Sequence, residues 1–280
     1  MWVRPNMGVA VCTAHMPTRP LGEVARLALS AGYEGLDINA DRFERGPPPH
    51  LRAPLSADAL MEARRSLEGL SMKHSALSAN IYLVPENSAE AISARAHVAA
   101  VIALAGDLGI PFVHVFTGRA PAAFSRAESL RRLADSLAEL CEIGRTQGVR
   151  IGIEGCVPHF VRSTEEHLEL FRMLPGSDLR VCLDPSHMFL HGESPLAAAE
   201  ALLDRISLVH VKDAAGRYPE FTLPPLGKGE MDWRGLLRHL RSLGYDGDYA
   251  VEYEAANFGW REDDATILNH GRGFLRENGL

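Results

Sequence analysis

GRTQGVRIGIE (144–154) reads as the end of a helix, a glycine that stops it, and a strand that finishes on a carboxylate. The same phrase recurs in ALSAGYEGLDI (28–38), AGDLGIPFVHVF (105–116) and RSLGYDGDYAVE (241–252). In each, glycine follows the last apolar turn, where a left-handed residue ends a helix. The apolar run after it lacks the polar alternation of a half-exposed strand, so it reads as a strand buried on both faces, as in a parallel sheet.

Working outward, candidate strands fall at 7–12, 34–39, 72–77, 112–116, 150–155, 180–184, 206–211 and 249–254. Helix patterns lie between them near 20–31, 55–69, 89–108, 126–147, 164–174, 195–203, 232–243 and 262–278. One of these starts with a capping signature, Ser163-Thr164-Glu165-Glu166. Strand-helix alternation implies a parallel sheet with right-handed crossovers. Eight units predict an α/β protein closed into a (β/α)8 TIM barrel, one domain over residues 1–280. An open doubly wound sheet shares the local grammar, but no GxGxxG follows the first strand and no GxxxxGK[ST] occurs.

Four polar residues end strand-like runs: Glu154 in RIGIE, Asp184 in RVCLD, His210 in ISLVH and Glu252 in YAVE. A barrel carries such residues to its C-terminal rim, where active sites lie. Converging there, three carboxylates and an imidazole make a site for one divalent ion, Mn²⁺, Mg²⁺, Co²⁺ or Zn²⁺, and the lack of thiolate in the set argues against structural zinc. One such Glu alone reads as a capping or ion-paired residue; four together do not.

Composition agrees with an enzyme core. The chain has 280 residues, 46% hydrophobic and 23% charged, enough for one large core. A formal charge of -7 disfavours a nucleic-acid or anionic-membrane partner. The sequence shows no apolar stretch of the roughly 18 to 20 residues that a span needs and no signal-peptide pattern near its start. Cys12, Cys141, Cys156 and Cys182 form no CxxC pair, which predicts reduced thiols in a cytoplasmic protein. The expected partner is a small molecule, with room left for a homo-oligomer. Two long Gly/Pro-rich segments, 42–55 and 214–233, read as loops of the catalytic face, the first equally as a rigid surface loop.

Taken in order, IGIEG, VCLDPSH, LVHVKD, LGKGEMDW and YAVEYE resemble the xylose-isomerase-like TIM barrel superfamily, in particular its sugar phosphate isomerase/epimerase branch. The four ligand candidates lie 30, 26 and 42 residues apart, and the similarity runs from GYEGLDI to the last Glu. The resemblance implies that Glu154, Asp184, His210 and Glu252 hold the metal, that Glu154 and Glu252 also move the proton, and that His187 and Arg217 bind substrate oxygens. His74, placed on the third strand, would point into the same mouth. Lys212 and Asp213 read as an ion pair that orients His210.

The implied chemistry is proton transfer next to the carbonyl of a sugar or related hydroxyketone, through an enediolate. Returning the proton to the same carbon gives epimerisation, to the adjacent carbon isomerisation; loss of a β-hydroxyl gives dehydration of a keto-inositol or keto acid. The ketose epimerases carry a further Glu six residues after the first metal Glu, where this chain has Phe160 beside His159. The rival within the superfamily is endonuclease IV, whose pattern overlaps at His74, Glu154, Asp184, His187, His210 and Glu252. That reading lacks ligands at Phe116 and in TLPP (222–225). A barrel reduced to a binding protein would be expected to have lost a ligand, and all four are present.

Overall fold

The computed structural model describes residues 7–42 and 46–280. Its strands are β1 (Val9–Cys12), β2 (Gly35–Asn39), β3 (Ala76–Ser78), β4 (Phe112–Phe116), β5 (Arg150–Glu154), β6 (Arg180–Leu183) and β7 (Ile206–Val211), then a hairpin of β8 (Ala215–Arg217) and β9 (Glu220–Thr222), and finally β10 (Asp248–Val251). All but the hairpin close into a barrel in the order β1-β10-β7-β6-β5-β4-β3-β2, each pair parallel. Helices α1 (Leu21–Ala31), α2 (Ala57–Ser66), α3 (Ser88–Leu108), α4 (Arg126–Gln147), α5 (Thr164–Met173), α6 (Pro185–His191), α7 (Pro195–Leu202), α8 (Trp233–Ser242) and α9 (Asp264–Glu277) make the crossovers.

The helix stops are those the repeated phrase announces. Gly32, Gly109 and Gly148 end α1, α3 and α4 in the left-handed conformation, which costs a residue without Cβ little. At the start of α5, Ser163 accepts from the Glu166 amide while the Glu166 side chain accepts from Ser163 N, a complete capping box. Helix α6 is not foreshadowed by periodicity. It is a single short element directly after β6, set by Asp184 as N-cap and Pro185 at the first position.

Strand residues alternate between two apolar layers. Ile38, Val113, Ile153, Val181 and Val209 pack outward with helix residues such as Val24, Val98 and Leu133. Ala10, Ala76, Phe112, Cys182, Leu208 and Ala250 form a separate cluster inside the barrel. Small residues are needed there: a Cβ on Gly152 would lie 2.4 Å from the Phe112 ring. By the same period of two, Asp37, His114, Glu154 and His210 belong to the inward series.

Two expectations change. The third strand, expected over 72–77, begins only at Ala76, because Met72–His74 form a 3₁₀ turn in which His74 N donates to Ser71 O. That turn leaves His74 at the N-terminal end of the barrel. Its Nδ1 pairs with Asp248 at the start of β10, and its ring sits so close to Gly8 that a Cβ there would lie 2.2 Å from it. Second, α3 is long and apolar enough, by length and composition, to cross a membrane, the one such helix among the described residues. It is also a crossover helix, with Val98, Val101, Ile102 and Ala105 buried in the outer core.

Candidate metal centre at the barrel rim

Glu154, Asp184, His210 and Glu252 leave four strands at the same rim, and each offers an atom within 4.8 Å of the others. His210 Nδ1 lies 3.1 Å from Glu154 Oε1 and 3.4 Å from Glu252 Oε2. Asp184 is fully enclosed. Its Oδ1 accepts from Ser186 N and Oγ at 2.8 and 2.6 Å, which aims the other oxygen inward. That oxygen, Oδ2, is buried without a hydrogen bond, although Lys212 Nζ is 3.0 Å away.

Lys212 stands inside this group instead of beside it. Its ammonium lies 2.8 Å from Glu252 Oε2, 2.7 Å from Glu254 Oε2 and 3.4 Å from His187 Nε2. Burial works against the charge, but Asp184, Glu252 and Glu254 outweigh it and hold the Lys212 pKa well above its ordinary value. In turn, burial alone would raise Glu252, yet Lys212 and His210 pull it down to about 2. Glu154 is likewise held well below its usual range, against its burial, chiefly by His210 and His114. Both carboxylates are therefore ionised at neutral pH.

The expected pairing of Lys212 with Asp213 does not form, because neighbours at a strand end point to opposite sides. Asp213 turns to the long loop, where its Oδ2 accepts from Gly227 N and Gly229 N at 2.8 and 3.0 Å and so pins that loop over the rim. His187, on α6, lines the cavity. Arg217 does not. It lies on the exposed hairpin, its guanidinium 3.9 Å over the Phe189 ring, because the chain leaves the barrel along β8 before reaching it. His74 is corrected likewise, being at the far end of the barrel.

The cavity over the rim measures about 1780 Å³. Arg42, Gly46 and Pro47 line it, so the 42–55 segment contributes wall, although its residues 43–45 lie outside those described. At the position of interest after Glu154, Phe160 is turned out of this cavity and His159 lines it, its ring tilted at 46° to that of Phe116 with centroids 4.3 Å apart. Burial pushes the His159 imidazole down to about 4, with His187 adding to it, so it is neutral at pH 7.

Sequence reasoning missed three groups. Lys212 is read from sequence as the partner of Asp213, not of the rim carboxylates, and Glu254 is not singled out. Beneath the rim, Asp37 Oδ2 accepts from His210 Nε2 at 2.9 Å and from His114 Nε2 at 3.0 Å, with all three residues buried. The usable signal was a charged residue inside an apolar run, in GLDIN and FVHVF.

The donor set fits a hard divalent cation. Its ligand atoms are carboxylate oxygens and one imidazole nitrogen, and Asp184 Oδ2 is a buried acceptor that makes no hydrogen bond, with only the Lys212 ammonium ion-paired to it at 3.0 Å among the lysines and arginines described. The nearby thiols of Cys12 and Cys156 are pushed well above their ordinary pKa by burial and stay protonated, which leaves them poor ligands.

A model of the xylose isomerase-like TIM barrel family matches residues 25–278. The chain belongs to that family. Among curated relatives it is 27% identical over 124 residues to fructoselysine 3-epimerase of Escherichia coli O157:H7, covering 43% of this chain and 44% of that protein. It is 28% identical over 140 residues to inosose dehydratase of Lacticaseibacillus casei, covering 44% and 46%. These matches span less than half the length of either relative. Of solved structures, the IolI protein with a bound zinc atom superposes with a TM-score of 0.79 at 17% identity, covering 97% of this chain and 98% of that one. The chain's relatives thus include a fructoselysine epimerase and an inosose dehydratase.

Proposed function

We propose that the protein is a divalent-metal-dependent isomerase or epimerase of a sugar or related hydroxyketone. One observation carries the reading: two ionised carboxylates, Glu154 and Glu252, flank His210 Nδ1 at 3.1 and 3.4 Å in a cavity open to small molecules. Glu154, Asp184, His210 and Glu252 would hold Mn²⁺, Mg²⁺, Co²⁺ or Zn²⁺. Bound there, the ion would supply Lewis-acid stabilisation of negative charge developing on substrate oxygen.

The chain's own residues do the rest. One of the two Glu removes the proton next to the carbonyl, and the other returns one from the opposite side. Lys212, 2.8 Å from Glu252, holds that carboxylate ionised and in place to accept a proton. His187 and His159 line the wall and bind substrate oxygens, the role first expected of His187 and Arg217. A second reading, dehydration of a keto-inositol or keto acid, is favoured by the Lys212 ammonium, which donates to His187 Nε2 at 3.4 Å and lines the cavity as a donor to a departing hydroxyl. The partner in either case is a small molecule; Phe116, where the endonuclease IV reading needs a ligand, argues against nucleic acid. Four free cysteines suit the cytoplasm.

The test is solvent-deuterium incorporation into a panel of ketoses, inososes and small keto acids, alongside elemental analysis. The expected result is about one divalent ion per chain and exchange at a carbon next to the carbonyl. No metal binding with added Mn²⁺, Co²⁺ or Zn²⁺ removes the centre. Metal without exchange in any member of the panel removes the reaction class.

A further inference from the structure

Asp37 is 3% exposed in the interior of β2, surrounded by barrel-lining apolar residues. Enclosing a carboxylate there costs several kcal/mol unless its lone pairs are met. They are met by two imidazoles and a thiol: His210 Nε2 at 2.9 Å, His114 Nε2 at 3.0 and 3.1 Å to the two oxygens, and Cys12 Sγ at 3.4 Å. An ionised carboxylate only accepts, so each of these nitrogens donates.

That direction has a consequence at the rim. An imidazole whose Nε2 hydrogen is committed to Asp37 turns Nδ1 to the opposite edge, where in the metal-free site it donates to Glu154 Oε1 at 3.1 Å with Glu252 Oε2 at 3.4 Å, and where a bound ion would take the place of that hydrogen. The His210 ring cannot turn freely. His114 packs edge-on against it, centroids 5.1 Å apart at 85°, and His114 Nδ1 lies 3.6 Å from Glu154 Oε2 without a hydrogen bond. Asp37 and His114 thus touch two of the four ligands from below, and they come from β2 and β4, strands that supply none of the four.

We propose that Asp37, braced by His114, is the positioning residue of the metal centre: it fixes His210 as the Nε2–H tautomer and so makes Nδ1 the ligand atom. The proposal rests on the metal-centre reading above. Carboxylates in this relation to a metal-bound histidine raise its basicity and fix the ring, and their loss weakens metal binding about 10- to 100-fold.

The experiment measures Zn²⁺ affinity by chelator competition in the wild type, Asp37→Asn and His114→Gln, with unfolding midpoints of the metal-free proteins as control. Zn²⁺-loaded protein labelled with ¹⁵N-histidine reports which His210 nitrogen carries hydrogen. Asp37→Asn should weaken Zn²⁺ by about 10- to 100-fold and mix the His210 tautomers. His114→Gln should weaken it less and leave Nε2–H in place, since it removes the brace and keeps the acceptor. Should Asp37→Asn not fold, His114→Gln with the wild-type spectrum still decides the matter. Wild-type affinity in both variants, or hydrogen found on His210 Nδ1 in the loaded wild type, overturns the proposal alone. Absence of Zn²⁺ binding by the wild type overturns it together with the metal-centre reading.

Discussion

Two histidine-aspartate pairs occupy opposite ends of one barrel. At the N-terminal end, His74 Nδ1 meets Asp248 Oδ1 at 2.8 Å, and Gly8 N meets the same oxygen at 2.7 Å. At the C-terminal rim, His210 Nε2 meets Asp37 at 2.9 Å, but its other nitrogen faces Glu154 and Glu252, with Asp184 and Glu254 close behind on Lys212. The lower pair is closed: donor and acceptor satisfy one another and tie the β3 approach to β10. The upper pair opens onto a surplus of acceptors with one ammonium to serve them. Residue type does not separate the two regions. An excess of converging lone pairs in a cavity does, in keeping with the division of such barrels into a stabilising and a catalytic face.

The comparison breaks most sharply at the rim. Glu154→Gln and Glu252→Gln keep shape and one oxygen but remove the base, so turnover and deuterium exchange should each fall by at least roughly 10²-fold. Exchange at the wild-type rate in both variants, with metal retained, would end the two-carboxylate mechanism.

At the other end the same kind of change should leave chemistry alone. His74→Gln strips the half-buried Asp248 carboxylate of a hydrogen-bond partner, which costs about 0.5–1.5 kcal/mol of stability. Unfolding by denaturant should show that loss while kcat and KM stay at wild-type values. A drop in kcat with no loss of stability would return His74 to the active site.

The smallest effect concerns histidines buried without a carboxylate. Burial, aided by Arg42, lowers His97 to about 4, and burial brings His15 and His159 to about 4 as well. The folded state therefore binds fewer protons than the unfolded chain between pH 6.5 and 4. Their contribution to stability is whole above that window and is lost as pH falls through it. The thermal midpoint should decline by some degrees across the window, and His97→Gln should flatten part of the decline. An unchanged slope would assign it to the other two. His114 and His210 move the opposite way: their burial is outweighed by the anionic groups around them, Asp37 beside the one and Glu154 and Glu252 beside the other.

Local sequence determined the eight strand-helix units and the four rim residues, because both are written in short range. A helix stop, an apolar run and the polar residue that ends it are neighbours in the chain, and strand direction alone sends that residue to one end of the sheet. It misplaced His74 because a 3₁₀ turn of three residues moves the strand start and with it the end of the barrel a side chain occupies. It missed Asp37, His114 and the inward turn of Lys212 for another reason. A strand buried on both faces has no polar alternation, so nothing local tells inside from outside. Only closure of the ring decides that, when strands 77 and 173 residues away in sequence bring His114 and His210 onto one carboxylate.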